Sequence, residues 1–207
     1  GEMYNVSRIT VRQAIDLAEK EGLVSRVHGV GTFVASPKIR QELDTIADFQ
    51  STLSQSGLIA STELIETNVL TSDFKLSKLL NLNIMEKILN LQLIGYDSPI
   101  VSYNTFFPFK LGAKMKEINK KRLENKLPFS TLDLYKELTE YKPSHVEQTF
   151  EAITANDQVA QLLSVNIGFP LLRVSSIVYE GKKPLEYKET YYRGDKYRFF
   201  ITRKIKL

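Results

Sequence analysis

Arg8 and Arg12 stand one helical turn apart, flanked by the hydroxyls of Ser7 and Thr10. Forked guanidinium groups can read guanine edges in a major groove and short hydroxyls can bind phosphates, so this grouping suits double-stranded DNA. Ser7 is a fitting N-cap for a helix running from Arg8 to Glu21, and Gly22 supplies its stop. At about 100° per residue, Val11, Ala14, Ile15 and Ala18 gather on one side, while Arg8, Arg12, Asp16 and Glu19 gather on another. Leu23 to Val27 and Thr32 to Ala35 then read as two strands joined by His28-Gly29-Val30-Gly31. Glycine at that tip lets backbone approach DNA closely, and His28 with Arg26 is placed to meet phosphates or a minor groove. Periodicity by itself fits equally a solvated amphipathic helix followed by a hairpin.

Composition narrows the alternatives. The 207 residues contain no cysteine, which excludes disulfides, thiolate zinc sites and a cysteine nucleophile. The two histidines, His28 and His145, are far apart, so neither a metal site nor any other cofactor is expected. There is no Gly-x-Ser-x-Gly elbow, phosphate loop or His-Glu-x-x-His, and His145, just after Pro143, reads as a surface residue at the start of a strand. An enzyme is therefore not expected. The net charge of +4 permits a nucleic-acid partner without requiring one. No apolar run approaches the roughly 20 residues needed to span a bilayer, and no signal peptide is recognisable, so a cytoplasmic location without membrane contact is expected.

Ser36-Pro37-Lys38 closes the hairpin, because proline cannot continue a ladder. The expected division is 1–36 for the first domain, 37–44 for a linker and 45–207 for a larger domain. Leu58 to Leu70 alternates as a strand, Asp73 to Leu80 reads as a short helix, and two strands flank the turn from Gly95 to Pro99. Helical patterns return near 111–119 and 130–140. The run Leu79-Leu80-Asn81-Leu82-Asn83-Ile84 recurs as Leu162-Leu163-Ser164-Val165-Asn166-Ile167, and Thr105-Phe106-Phe107 recurs as Thr190-Tyr191-Tyr192. Chance similarity of short apolar patterns is the alternative to a duplication. Two copies of a helix and hairpin would pack into one pseudo-symmetric domain with a cleft between the halves.

The stretches Val6 to Ile15, Glu21 to Val24 and Gly29 to Val34 resemble the winged helix-turn-helix of the GntR superfamily, its HutC branch in particular. The resemblance implies that Ser7, Arg8, Thr10 and Arg12 contact DNA from a recognition helix, with His28 and Gly29 at the wing tip. The family places a full helix and most of a second before the position of Tyr4, so the sequence given is expected to be N-terminally truncated within that domain and to bind DNA poorly alone. The remainder resembles the UTRA effector-binding domain, an antiparallel sheet with helices related in fold to chorismate lyase. The most specific part is Tyr192-Arg193-Gly194-Asp195-Lys196-Tyr197. The fold class expected is thus α+β. A transcription regulator, most simply a repressor, is implied, as a homodimer on a palindromic operator. The alternative is a ligand-binding module or lyase-like enzyme with no DNA-binding role.

The resemblance also implies that Glu186 and Tyr192 point into the effector cleft. Relatives that sense sugar phosphates carry Arg-x-Arg where this chain has Asn90-Leu91-Gln92, and a small hydroxyl residue where it has Asp48. Amides lack the charge and fork geometry that bind phosphate well. The expected effector is a small non-phosphorylated molecule met by Asn90, Gln92, Tyr103, Glu186 and Tyr192, with Arg173, the duplicate counterpart of Asn90, as an available cation. Asn90 and Gln92 as ordinary outward-facing strand residues is the alternative, and a one-residue slip at the 95–98 turn would change which side chains share a face.

Overall fold

The computed structural model describes residues 6–20, 23–27, 31–34, 38–42, 61–96, 99–125 and 130–202. Its backbone divides into two compact units, Gly1–Lys38 and Ile39–Leu207. The first holds helix α1 (Arg8–Lys20) and the antiparallel pair β1 (Val24–Val27) and β2 (Gly31–Val34), with Val24 opposite Val34. Ser7 starts the helix as its type suggests: its Oγ accepts from the backbone N–H of Thr10 at 3.1 Å. The expected wing tip, with His28 and Gly29, lies outside the described residues.

The second unit is built on six antiparallel strands: β4 (Ser61–Thr71), β5 (Lys87–Tyr96), β6 (Pro99–Pro108), β7 (His145–Thr154), β8 (Pro170–Glu180) and β9 (Lys183–Arg193). Their spatial order, β4-β5-β6-β9-β8-β7, reads as the same series of equivalent strands from either edge. The repeat seen in the sequence is therefore structural, and each copy gains a leading strand. Helix α2 (Phe74–Leu80) follows β4, and α5 (Asp157–Leu163) follows β7. Their caps match. The Asp73 side chain accepts from Leu76 N and Asn156 from Val159 N, while Asn81 and Ser164 end the helices at φ 52° and 51°. Asn tolerates that left-handed conformation better than most residues, and a serine there is less usual. Four residues further along each copy, Met85 sits at φ 68° where the second copy has Gly168 at φ 84°. Only the glycine enters that region without a Cβ clash.

Helix α3 (Phe109–Glu124), the single turn α4 (Thr131–Leu134) and a 3-10 turn (Tyr135–Glu137) cover one face of the sheet. Leu89, Leu91 and Leu93 alternate onto that face and pack with Leu111, Met115 and Leu134. Helix α3 runs well past the 111–119 pattern, because its outer face is polar and only the core-facing positions carry the period. It also lies close to the sheet. A Cβ on Gly112 would come within 2.5 Å of Leu89 Cβ and 3.1 Å of Phe107 Cβ. The opposite face carries α2 and α5, over Ile88 and Tyr187 on one side and Leu171 on the other.

One expected linker segment is ordered differently. Residues Ile39–Glu42 form β3, paired in parallel with β10 (Tyr197–Phe200). That pairing joins backbone groups from the two ends of the unit, which no local hydrophobic pattern announces.

Candidate functional site

In the first unit Ser7, Arg8, Thr10 and Arg12 are all exposed on the opening turns of α1. Ser7 Oγ and Thr10 Oγ1 are 2.9 Å apart, so one hydroxyl proton is committed between them and the other is available to an outside acceptor. Arg8 and Arg12 share a groove of about 620 Å³ with Ile9, Ile15, Arg26 and Thr32. The three arginines are not equivalent. Arg26 bonds Asp16 and lies 3.5 Å from Glu19, which ties β1 back to α1. Among the described residues neither Arg8 nor Arg12 has an ion-pair partner, so their guanidinium groups are open to an outside acceptor. Arg26, expected with His28 to meet phosphates or a minor groove, is engaged by two carboxylates of the adjacent helix, and His28 lies outside the described residues.

The six candidate effector residues divide between the two faces of the sheet. Side chains alternate along a strand, and register carries that parity from strand to strand. Tyr103 stands opposite Thr190 and Val101 opposite Tyr192, which puts Tyr103, Glu186 and Tyr192 on the face beneath α3 and α4. Asn90 stands opposite Phe106, and Arg173 opposite Glu151 and Tyr191, which puts Asn90, Gln92 and Arg173 on the other face. One cleft formed by all six is therefore not present. The cause is local: the register of β5 on β6 shifts between Gly95 and Tyr96, so counting through the turn loses the parity. Asn90 spends its amide inside the sheet edge-to-edge network, donating to Asn104 Oδ1 at 2.6 Å and to the Thr105 carbonyl at 3.1 Å. Arg173 grips Glu151 through Nε and Nη2 at 3.2 and 2.8 Å.

Beneath α3 and α4 the sheet is polar at its centre. Glu186 is fully buried, and its Oε1 accepts from Thr131 Oγ1 and lies 3.3 Å from Lys188 Nζ. Lys188 also donates to Thr131 Oγ1 at 2.9 Å. Glu186 Oε2, Thr105 Oγ1 and both amide atoms of Asn119 are buried without a hydrogen-bond partner among the described residues. Each such group carries a desolvation cost of about 1–3 kcal/mol that a polar ligand can relieve. Tyr135 lies beside Glu186 without being aligned to bond it; burial, then that carboxylate, pushes its phenol well up. Burial likewise raises Tyr103 and Tyr192. All three phenols are therefore neutral donors across the physiological range. Sequence reading missed Lys188, Thr131, Thr105 and Asn119. Lys188 was within reach, since alternation from Glu186 to Tyr192 passes through it, but Thr131 and Asn119 come from helices far along the chain.

The Tyr-Arg-Gly-Asp signature builds the turn after β9. Arg193 bonds Asp195 with both ends of its fork, at 3.1 and 2.8 Å, and a side chain at 194 would meet the Pro170 carbonyl at 3.2 Å. The turn returns Tyr197 and Phe199 onto Tyr192, with ring centroids 4.5 and 5.0 Å away.

Residues 55–198 match the UTRA domain family, and residues 1–34 match the bacterial regulatory proteins of the gntR family. The chain belongs to the GntR regulators that carry a UTRA domain. It is 28% identical over 203 residues to the HTH-type transcriptional repressor NagR of Bacillus subtilis, covering 96% of this chain and 80% of that protein. It is 24% identical to the histidine utilization repressor of Pseudomonas putida, covering 93% and 75%. Among solved structures, PhnF from Mycobacterium smegmatis superposes with a TM-score of 0.67 at 25% identity, covering 99% of this chain and 88% of that one. The UTRA unit thus belongs to a DNA-binding transcription regulator and not to an enzyme. Among the described residues no helix is long and apolar enough to cross a membrane.

Proposed function

We propose that this UTRA-domain regulator is a repressor whose hold on its operator is set by a small, non-phosphorylated effector bound beneath α3 and α4. The observation that carries the reading is Glu186, fully buried with one oxygen unpartnered among the described residues, on the sheet face that also holds the orphaned Thr105 hydroxyl opposite Lys188. A hydroxyl-rich or amine-bearing ligand satisfies those atoms. A phosphate does not suit them, because Lys188, the one cation of the cluster among the described residues, is already paired with Glu186. Since Asn90, Gln92 and Arg173 occupy the other face, the effector contacts on this reading reduce to Tyr103, Glu186 and Tyr192, joined by Lys188 and Thr131. The regulator acts in the cytoplasm as a homodimer on a palindromic operator, with Ser7, Arg8, Thr10 and Arg12, and His28 and Gly29 of the wing, meeting each half-site.

A route for the signal follows from contacts. Tyr192 packs on Tyr197 and Phe199 of β10, β10 pairs with β3, and β3 begins where the DNA-binding unit ends. An effector that distinguishes two positions of Tyr192 biases that chain of contacts, and differential affinity for the two is what shifts the equilibrium. The experiment is a metabolite screen for release of a selected operator, read by fluorescence anisotropy. Glu186→Gln should keep operator affinity and lose the response to the hit. Tyr197→Ala should keep effector binding and lose release. An effector response that survives Glu186→Gln unchanged sinks the reading.

A further inference from the structure

On the sheet face away from Glu186, Glu189 sits in register between Asn104 and Ser175 near the middle of the sheet. It is held from three sides. Tyr187 OH donates to Oε1 at 2.7 Å, Tyr191 OH donates to Oε2 at 2.9 Å, and Lys75 Nζ reaches Oε1 at 2.9 Å from α2. The carboxylate is largely covered, at 14% exposure, whereas the Lys75 side chain is 61% exposed. Lys75 Nζ also lies over the Tyr187 ring, 5.3 Å from its centroid. A fixed carboxylate with an aromatic face beside it is the usual arrangement for gripping an organic ammonium. Here the ammonium is the protein's own, carried on an exposed side chain of a seven-residue helix.

The place opens into a groove of about 360 Å³ floored by Arg173, Ser175 and Ile177 of β8, with Glu147, Thr149 and Glu151 of β7 along its far side. That volume accommodates a small metabolite. The acids outnumber the bases, and Arg173 is already bonded to Glu151. The positions equivalent to Glu151, Arg173 and Glu189 in the other half are amides, Asn68 and Asn90 facing one another and Asn104 opposite Glu189. The charge at these three positions is therefore a property of one half of the duplicated sheet. The fold alone does not require it, since the amide half builds the same strands.

We infer that Glu189, Tyr187 and Tyr191 form a second small-molecule site selective for a primary ammonium group, which Lys75 occupies until a ligand amine displaces it. The hydroxyls of Ser175 and Thr149 and the Arg173–Glu151 pair meet the rest of the ligand. Displacement frees Lys75 from the sheet, so occupancy is felt directly by α2. The site is independent of Glu186, with the sheet between them.

The test uses the full chain with 1,4-diaminobutane as probe and 1,4-butanediol as its uncharged counterpart, followed by titration calorimetry and by amide chemical shifts of β8 and β9. Lys75→Met keeps the aliphatic stem and removes the competing ammonium; it should bind the diamine at least about tenfold more tightly than the unaltered protein, a gain near 1.4 kcal/mol. Glu189→Gln should abolish diamine binding, and the diol should bind none of the proteins. The inference is overturned if the diol binds as well as the diamine, if Lys75→Met shows no gain, or if Glu189→Gln binds the diamine undiminished. Because Lys75 is exposed, Lys75→Met leaves folding intact and keeps the test decisive should Glu189→Gln fold poorly.

Discussion

Asn104 and Glu189 face each other across the central pair of strands and hold equivalent positions in the two copies of the repeat. The approximate twofold axis of the sheet passes between them. One copy has charged side chains at three positions, Glu151, Arg173 and Glu189, where the other has the amides Asn68, Asn90 and Asn104. The two faces of the same strands then serve different chemistry. Lys188 and Glu189 are adjacent in sequence and belong to different sites.

Lys188 and Glu186 are a buried pair, and their value depends on being kept together. Removing one partner strands the other charge at a cost of about 3–5 kcal/mol. Lys188→Met should therefore lower unfolding stability by roughly that amount. The double variant Lys188→Met, Glu186→Gln should recover most of the loss. Urea denaturation of the four proteins in the cycle measures it, and additive losses would contradict the pairing.

Arg8 and Arg12 should each contribute about 1–3 kcal/mol to operator discrimination if they fork onto bases. Arg8→Ala and Arg12→Ala are expected to weaken binding of a selected operator without altering thermal stability. Arg26→Ala should do the reverse in part, lowering the stability of the first unit by breaking its link to Asp16 and Glu19. Anisotropy titrations at several salt concentrations, paired with melting curves, separate the two kinds of effect.

Gly112→Ala would ordinarily stabilise a helix interior by about 1 kcal/mol. At this position the added methyl meets Leu89 and Phe107. Overpacking of that kind costs about 1–3 kcal/mol, so a net loss is expected, with α3 pushed off the sheet. A gain in melting temperature would show that the helix has room to move.

Glu189 has a definite pH signature. Burial works against its charge, but the hydrogen bonds from Tyr187, Lys75 and Tyr191 outweigh it and hold the carboxyl below its ordinary 4.5. A depressed folded-state value contributes stability that is present in full above the unfolded value and disappears as pH falls through the folded one. The stability difference between the unaltered protein and Glu189→Gln should be flat above about pH 5 and shrink below pH 4.5. A difference that grows on acidification would reverse the sign and refute the assignment.

Much of this architecture was legible locally. The Ser7 cap, the helix and hairpin of the first unit and both copies of the repeat follow from periodicity, capping types and turn residues. Register was not legible. The shift at Gly95/Tyr96 separates Asn90 and Gln92 from Tyr103, and the β3–β10 pairing joins distant segments through backbone groups that any sequence offers. The Glu186 cluster was half visible: its strand residues alternate, but Thr131 reaches it only through the packing of α4.

The order of strands that reads alike from both edges leaves β4 and β7 as equivalent rims, each without an outer partner strand among the described residues. Two such rims invite sheets to join side by side without end, a hazard that closed assemblies avoid. Both rims carry exposed acids, Glu63 and Glu66 on one and Glu147 and Glu151 on the other, and β4 is broken by an irregularity between Leu64 and Glu66. Chains meeting rim to rim bring carboxylate against carboxylate, so the symmetry that built the domain is kept from propagating into a fibre.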